Sequence, residues 1–203
     1  NCVAGNAAAG TILLSGPITA GSLTFNTGSS ATTYTLGGSG TLTLVNSTIT
    51  NNANGTISAI IAGSTPWMKT GSGTLTLSGG TTNTNSGLLT VDQGRLTLAK
   101  AGGATAVAGN LAVTNGAFVT LGNGTTNQIA ATSAVSVSGA ASVFNGLGPN
   151  GSPGTNLNQT LGSLTITGGT FNTGAGSNWT VTGAMSLTAS AATGITLGGA
   201  GTV

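Results

Sequence analysis

One phrase returns almost verbatim along the chain: Gly-x-Gly-Thr-Leu-Thr-Leu. It stands as Gly38-Ser39-Gly40-Thr41-Leu42-Thr43-Leu44 and again as Gly71-Ser72-Gly73-Thr74-Leu75-Thr76-Leu77. Looser copies are Gly21-Ser22-Leu23-Thr24-Phe25, Gly94-Arg95-Leu96-Thr97-Leu98 and Gly162-Ser163-Leu164-Thr165-Ile166-Thr167, with a partial one at Gly198-Gly199-Ala200-Gly201-Thr202-Val203. A tight turn followed by a short alternating strand, repeated in this way, marks a stacked architecture. Within Thr74–Leu77 the two Leu face one way and the two Thr the other, because side chains along a strand have a period of two. Leu then fills a core, and Thr makes a polar, β-branched surface without charge.

The copies recur at roughly 17–23 residues, and strands around Ile49 and Ile57 fill one double-length gap; such a period suits one coil of a β-helix. The reading is a single all-β domain over residues 1–203, a right-handed parallel β-helix of about ten coils. The alternative is an antiparallel β-sandwich, which also uses short strands and Gly-rich turns. Asn54-Gly55, Asn115-Gly116 and Asn123-Gly124 fit either: hairpin turns in a sandwich, or corners with positive φ in a helix of strands. Helix signals are nearly absent. The rhythm breaks between Phe144 and Thr160, where Asn145-Gly146, Pro149-Asn150-Gly151 and Pro153-Gly154 predict a protruding loop at 144–160. Ala99–Asn110 is a weaker candidate of the same kind.

Only 2% of the residues are charged, namely Lys69, Asp92, Arg95 and Lys100, and there is no His. That excludes a Ser-His-Asp triad and a carboxylate pair for acid–base work. It also leaves no Lys and Arg cluster to hold nucleic acid, and no ligand set for a metal. Asp92, Arg95 and Lys100 read as a surface ion pair and its neighbour. Gly146-Leu147-Gly148-Pro149-Asn150-Gly151 matches a dinucleotide fingerprint in form only, because Pro149 and the lack of a following helix remove its context. No cofactor is expected. Gly, at 37 residues, is abundant, but no Gly-X-Y register persists and Pro is only 4, so collagen is excluded. No apolar run approaches the roughly 20 residues that span a bilayer as a helix.

The stretch Thr56-Ile57-Ser58-Ala59-Ile60-Ile61-Ala62-Gly63, with Lys69-Thr70-Gly71-Ser72-Gly73-Thr74-Leu75-Thr76-Leu77-Ser78-Gly79, resembles the autotransporter-associated β-strand repeat, also called the passenger-associated transport repeat. Asn83-Thr84-Asn85-Ser86-Gly87 through Val91-Asp92-Gln93-Gly94-Arg95-Leu96-Thr97-Leu98 is similar to its second half, with Asn85 in place of the usual aromatic residue and Leu89 in place of a usual Thr. The close match covers Thr56 to Leu98. The resemblance implies a β-helical passenger segment, bacterial, secreted or displayed at the cell surface, acting as scaffold and contributing no catalytic residues.

The expected function is therefore a non-catalytic extracellular structural protein, a stalk, adhesin scaffold or filament subunit. Its partners are other copies of itself or flanking repeats, with glycans or a surface as further partners. Low charge removes a usual defence against edge-to-edge pairing. The expected self-association residues are Asn1, Cys2, Val3, Ile12, Leu13 and Leu14 at one end, and Ile195, Leu197, Thr202 and Val203 at the other. Phe144, Leu147, Pro149, Asn150 and Pro153 are the expected contact residues of the loop. Two alternatives belong to other classes. A carbohydrate-binding or host-binding adhesin would use that loop or an exposed Trp, and an ice-binding solenoid would use outward rows such as Thr41-x-Thr43, Thr74-x-Thr76, Thr165-x-Thr167 and Thr180-x-Thr182.

Overall fold

The computed structural model describes residues 10–26, 33–122, 126–146, 158–174 and 177–188 in full, and the backbone of Cys2–Ala4 and Ile195–Gly198. All secondary structure among them is strand, and the strands pair in parallel in sheets of ten, nine and two strands. This is a β-solenoid. Parallel pairing between successive coils removes the antiparallel sandwich.

Among the described residues a coil shows a third face beside the two long sheets. In one coil Ile60–Ala62 lies on a third face, Trp67–Thr70 in the first sheet and Thr74–Leu77 in the second. The preceding coil shows how a strand turns between faces. The long strand Thr41–Asn51 pairs through Thr41–Thr43 with Ile60–Ala62, then through Ser47–Thr50 with Trp67–Thr70. The corner between these two halves carries Asn46, whose φ of 46° is the left-handed conformation that Asn tolerates.

From Thr11–Leu14 to Gly169–Asn172 the second sheet completes about seven turns, fewer than the ten expected. The physical reason is a coil of uneven length, already 26 residues where Ser22 pairs with Thr48. Thr74 pairs with Arg95, a step of 21 residues, whereas Val143 pairs with Thr170, a step of 27. The added residues follow the second sheet, between Asn145 and Asn158. The corners of the coil that holds Trp67 are short, 63–66 and 71–73.

The core is a set of columns along the stack. In the first sheet one column runs Leu23, Ile49, Lys69, Val91, Val113, Val137, Ile166, Leu187. In the second, Ile12, Leu36, Ile57, Leu77, Leu98 and Leu121 stack in register. Ile49, Ile57, Leu77, Leu98, Val113 and Ile166 are completely buried. Each is covered by a neighbour above and below, about 4.8 Å away. This stacking is why the Leu of the recurring phrase faces inward in every copy.

The third face is the least regular, and buried amides stitch it. Asn83 accepts a hydrogen bond from Ile61 N through Oδ1 and donates through Nδ2 to Ala106 O, both at 2.9 Å, linking the coils on either side. Gln159 does the same within a pair of coils, with Ile129 N on Oε1 and Ile129 O on Nε2. Corners bring backbones together so closely that only Gly fits. Gly71 has φ +76°, and a Cβ there would lie 2.4 Å from Asn51 O.

Candidate functional site

The expected contact residues lie at the two ends of the stack. At one end Ile12, Leu13 and Ile18 are 44%, 70% and 48% exposed; at the other Met185 and Leu187 are 41% and 45% exposed. Leu164 and Ile166, one coil inward from Met185 and Leu187 in the same columns, are fully buried. An inward side chain needs a coil on both sides to be covered, and Ile12, Ile18, Met185 and Leu187 have one; Leu13, next to Ile12 on the strand, faces outward. Ile12 and Leu13 thus sit together as expected, but Leu14 is buried in the core, paired with Gly38, and is not a surface residue. Cys2, Val3, Ile195 and Leu197 are placed by their backbone, in the edge strands Cys2–Ala4 and Ile195–Gly198. Asn1, Thr202 and Val203 lie outside the described residues. Sequence reasoning missed Ile18, Met185 and Leu187. The alternation in Met185-Ser186-Leu187-Thr188 was the available signal.

The loop prediction requires a correction at both ends: Asn158–Leu161 is a strand, with Gln159 buried. Phe144 is completely buried, because its strand Val143–Asn145 continues the second sheet and turns it inward. Its ring stacks on Phe171 at 5.0 Å, and Trp179 meets both rings edge-on at 5.6 and 5.1 Å. Trp179 Nε1 donates to Thr173 O at 2.9 Å. This cluster is a core anchor, not a contact site. Trp67 is buried as well, so neither indole offers an exposed ring to a sugar. Leu147, Pro149, Asn150 and Pro153 lie outside the described residues.

The four charged side chains occupy adjacent coils in the middle of the stack. Two of them are inside. Lys69 takes the place of an aliphatic residue between Ile49 and Val91, and its Nζ donates to the carbonyls of Gln93, Gly71 and Thr70 at 2.8, 3.0 and 3.3 Å. Lys100 is equally buried, but its Nζ has no hydrogen-bond partner. Burial pushes both ammonium groups down to about 8. Asp92 accepts hydrogen bonds from Thr114 and Asn115 of the next coil, and the Arg95 guanidinium lies 4.4 Å from the centre of the Phe118 ring. These contacts tie coils to one another.

Outward hydroxyls do form rows. Thr24, Thr50 and Thr70 stand in register on the first sheet, with Thr50 Oγ1 and Thr70 Oγ1 3.2 Å apart. Thr35, Thr56, Thr76, Thr97 and Thr120 do so on the second. The arrays are interrupted. Met68 stands between Thr48 and Thr90, Arg95 pairs with Thr74, and Thr97 and Thr120 are buried.

No known family model, curated protein or solved structure matches this chain.

Proposed function

We propose that this chain is a non-catalytic extracellular structural protein of bacterial type, a β-solenoid stalk or fibre subunit that self-associates end to end through its terminal coils. The winding is taken as right-handed, as crossovers between parallel strands of one sheet nearly always are. The observation that carries the reading is the pair of open ends. Columns that are fully buried through the middle emerge at Ile12 and Ile18 on one side and at Met185 and Leu187 on the other, each 41–48% exposed. Contiguous exposed apolar surface marks an interaction site. The resemblance of Thr56–Leu98 to the autotransporter-associated repeat agrees with a secreted or surface-displayed scaffold.

Sedimentation velocity and negative-stain electron microscopy of the purified chain test this together. Rods or fibres that lengthen with concentration are expected. A monodisperse monomer at tens of micromolar would sink the proposal.

One observation favours a second reading, a carbohydrate-binding adhesin passenger. A shallow groove of about 260 Å³ is lined by Asn46, Ser47, Thr48, Pro66, Trp67, Met68 and Thr90, which sets hydroxyl and amide groups beside apolar side chains. Glycan-array binding lost on Thr48→Ala and Thr90→Ala would favour it. The ice-binding alternative predicts thermal hysteresis that disappears on Thr74→Ala and Thr76→Ala. The interrupted rows weigh against it.

A further inference from the structure

The two ends of the stack continue one another. The first sheet begins with Cys2–Ala4 and finishes with Met185–Thr188; the second begins with Thr11–Leu14 and finishes with Ile195–Gly198. Because all pairing is parallel, one end shows the set of backbone donors and acceptors that the other end lacks. The columns match as well. Cys2 pairs with Leu23, at the start of the column that ends at Leu187.

Charge also permits the junction. Natural edge strands are usually guarded by charged side chains or Pro. Here every charged residue lies between Lys69 and Lys100, and residues 1–68 and 101–203 carry none. No charged side chain would have to be desolvated at either end.

Resting on the structural reading above, we infer that copies of this chain join head to tail in a single register, with Cys2 and Val3 of one copy continuing the parallel pairing of Leu187 and Thr188 of the next. Cys2 of one copy then sits over Leu187 of its neighbour. The contact is heterologous and does not close, so it propagates into an open fibre. Nine levels of the first sheet at about 4.8 Å give an axial repeat of roughly 43 Å.

The native Cys2 makes the register directly testable, since the chain holds no other Cys. Adjacent parallel strands place Cα atoms about 4.8 Å apart, within the range a disulfide bridges. Under mild oxidation, Leu187→Cys is expected to give a ladder of dimers, trimers and longer species. Mass spectrometry should find the peptide of Cys2 joined by a disulfide to the peptide that carries the Leu187→Cys substitution. Ser186→Cys, on the opposite side of the strand, is expected to give little.

Three results would overturn the proposal. Cys2–Cys2 dimers of the unaltered chain would mean head-to-head contact. Assemblies in the microscope without the Leu187→Cys ladder would refute this register while leaving the fibre reading intact. Absence of assembly would remove both. Leu187→Asp is the complementary variant: polymers are expected to disappear while the strand-rich circular dichroism of the monomer remains.

Discussion

Lys69 and Lys100 are both fully buried amines, and they differ in what their nitrogens meet. Lys69 satisfies three carbonyls at a corner where two coils touch. Removing a buried partner leaves the full desolvation cost of those groups, so Lys69→Met is expected to lower stability by about 1–3 kcal/mol. Lys100→Met deletes a buried nitrogen with no partner and keeps its volume, and is expected to raise stability by about 1–2 kcal/mol. Chemical denaturation of the two variants checks this opposite sign. The pH dependence follows. Folding pushes both amines from the ordinary 10.5 down to about 8. Between those values the unfolded chain binds more protons than the folded one, so raising the pH favours folding. The melting temperature is expected to climb by several degrees from pH 7.5 to pH 10. The rise should be largely lost in the double Met variant.

Elements of the first and second sheets were legible in the sequence, because Leu and Thr alternate where a strand has one dry and one wet side. Thr74–Leu77 stands residue by residue as its alternation predicts. The third face was not legible. Asn83, Asn85, Gln128 and Gln159 are buried there, and amides in a Gly-rich chain look like turn residues until their partners on neighbouring coils are known. Phe144 stands at the boundary between a candidate strand and the expected loop, and a strand of three residues is too short to say on which side it belongs. Lys69 escaped because a charge is ordinarily read as outward. At this scale Asn83→Leu is expected to cost about 2–4 kcal/mol, since it strands Ile61 N and Ala106 O without partners in the core. Phe144→Ala, which empties the ring cluster with Phe171 and Trp179, is expected to cost about 3–5 kcal/mol. Urea titrations with Trp179 fluorescence check both.

Taken whole, the molecule is nearly one-dimensional: each coil touches the one before and the one after. Stability in such a stack is a sum of nearest-neighbour terms, and the ends are weakest. Hydrogen exchange is therefore expected to be slowest at Leu75, Leu96 and Val119, and fastest in Thr11–Leu14 and Met185–Thr188. Assembly should bring the end strands toward the protection of the middle. The coil count shows where sequence spacing misleads. A period read from the well-matched copies in the middle of the stack does not hold for the coils on either side, where Ser22 pairs with Thr48 and Val143 with Thr170. Coils of 21 and 27 residues nevertheless keep the same sheets in register, because most of the extra chain falls between strands and not within them. A corner can thus change its decoration while the sheets on either side stay paired. Peptides grafted after the second sheet, for example at the exposed Gly80, where a side chain would meet nothing within 4 Å, should be displayed in a line about 5 Å apart per coil, turning a structural fibre into a ruler.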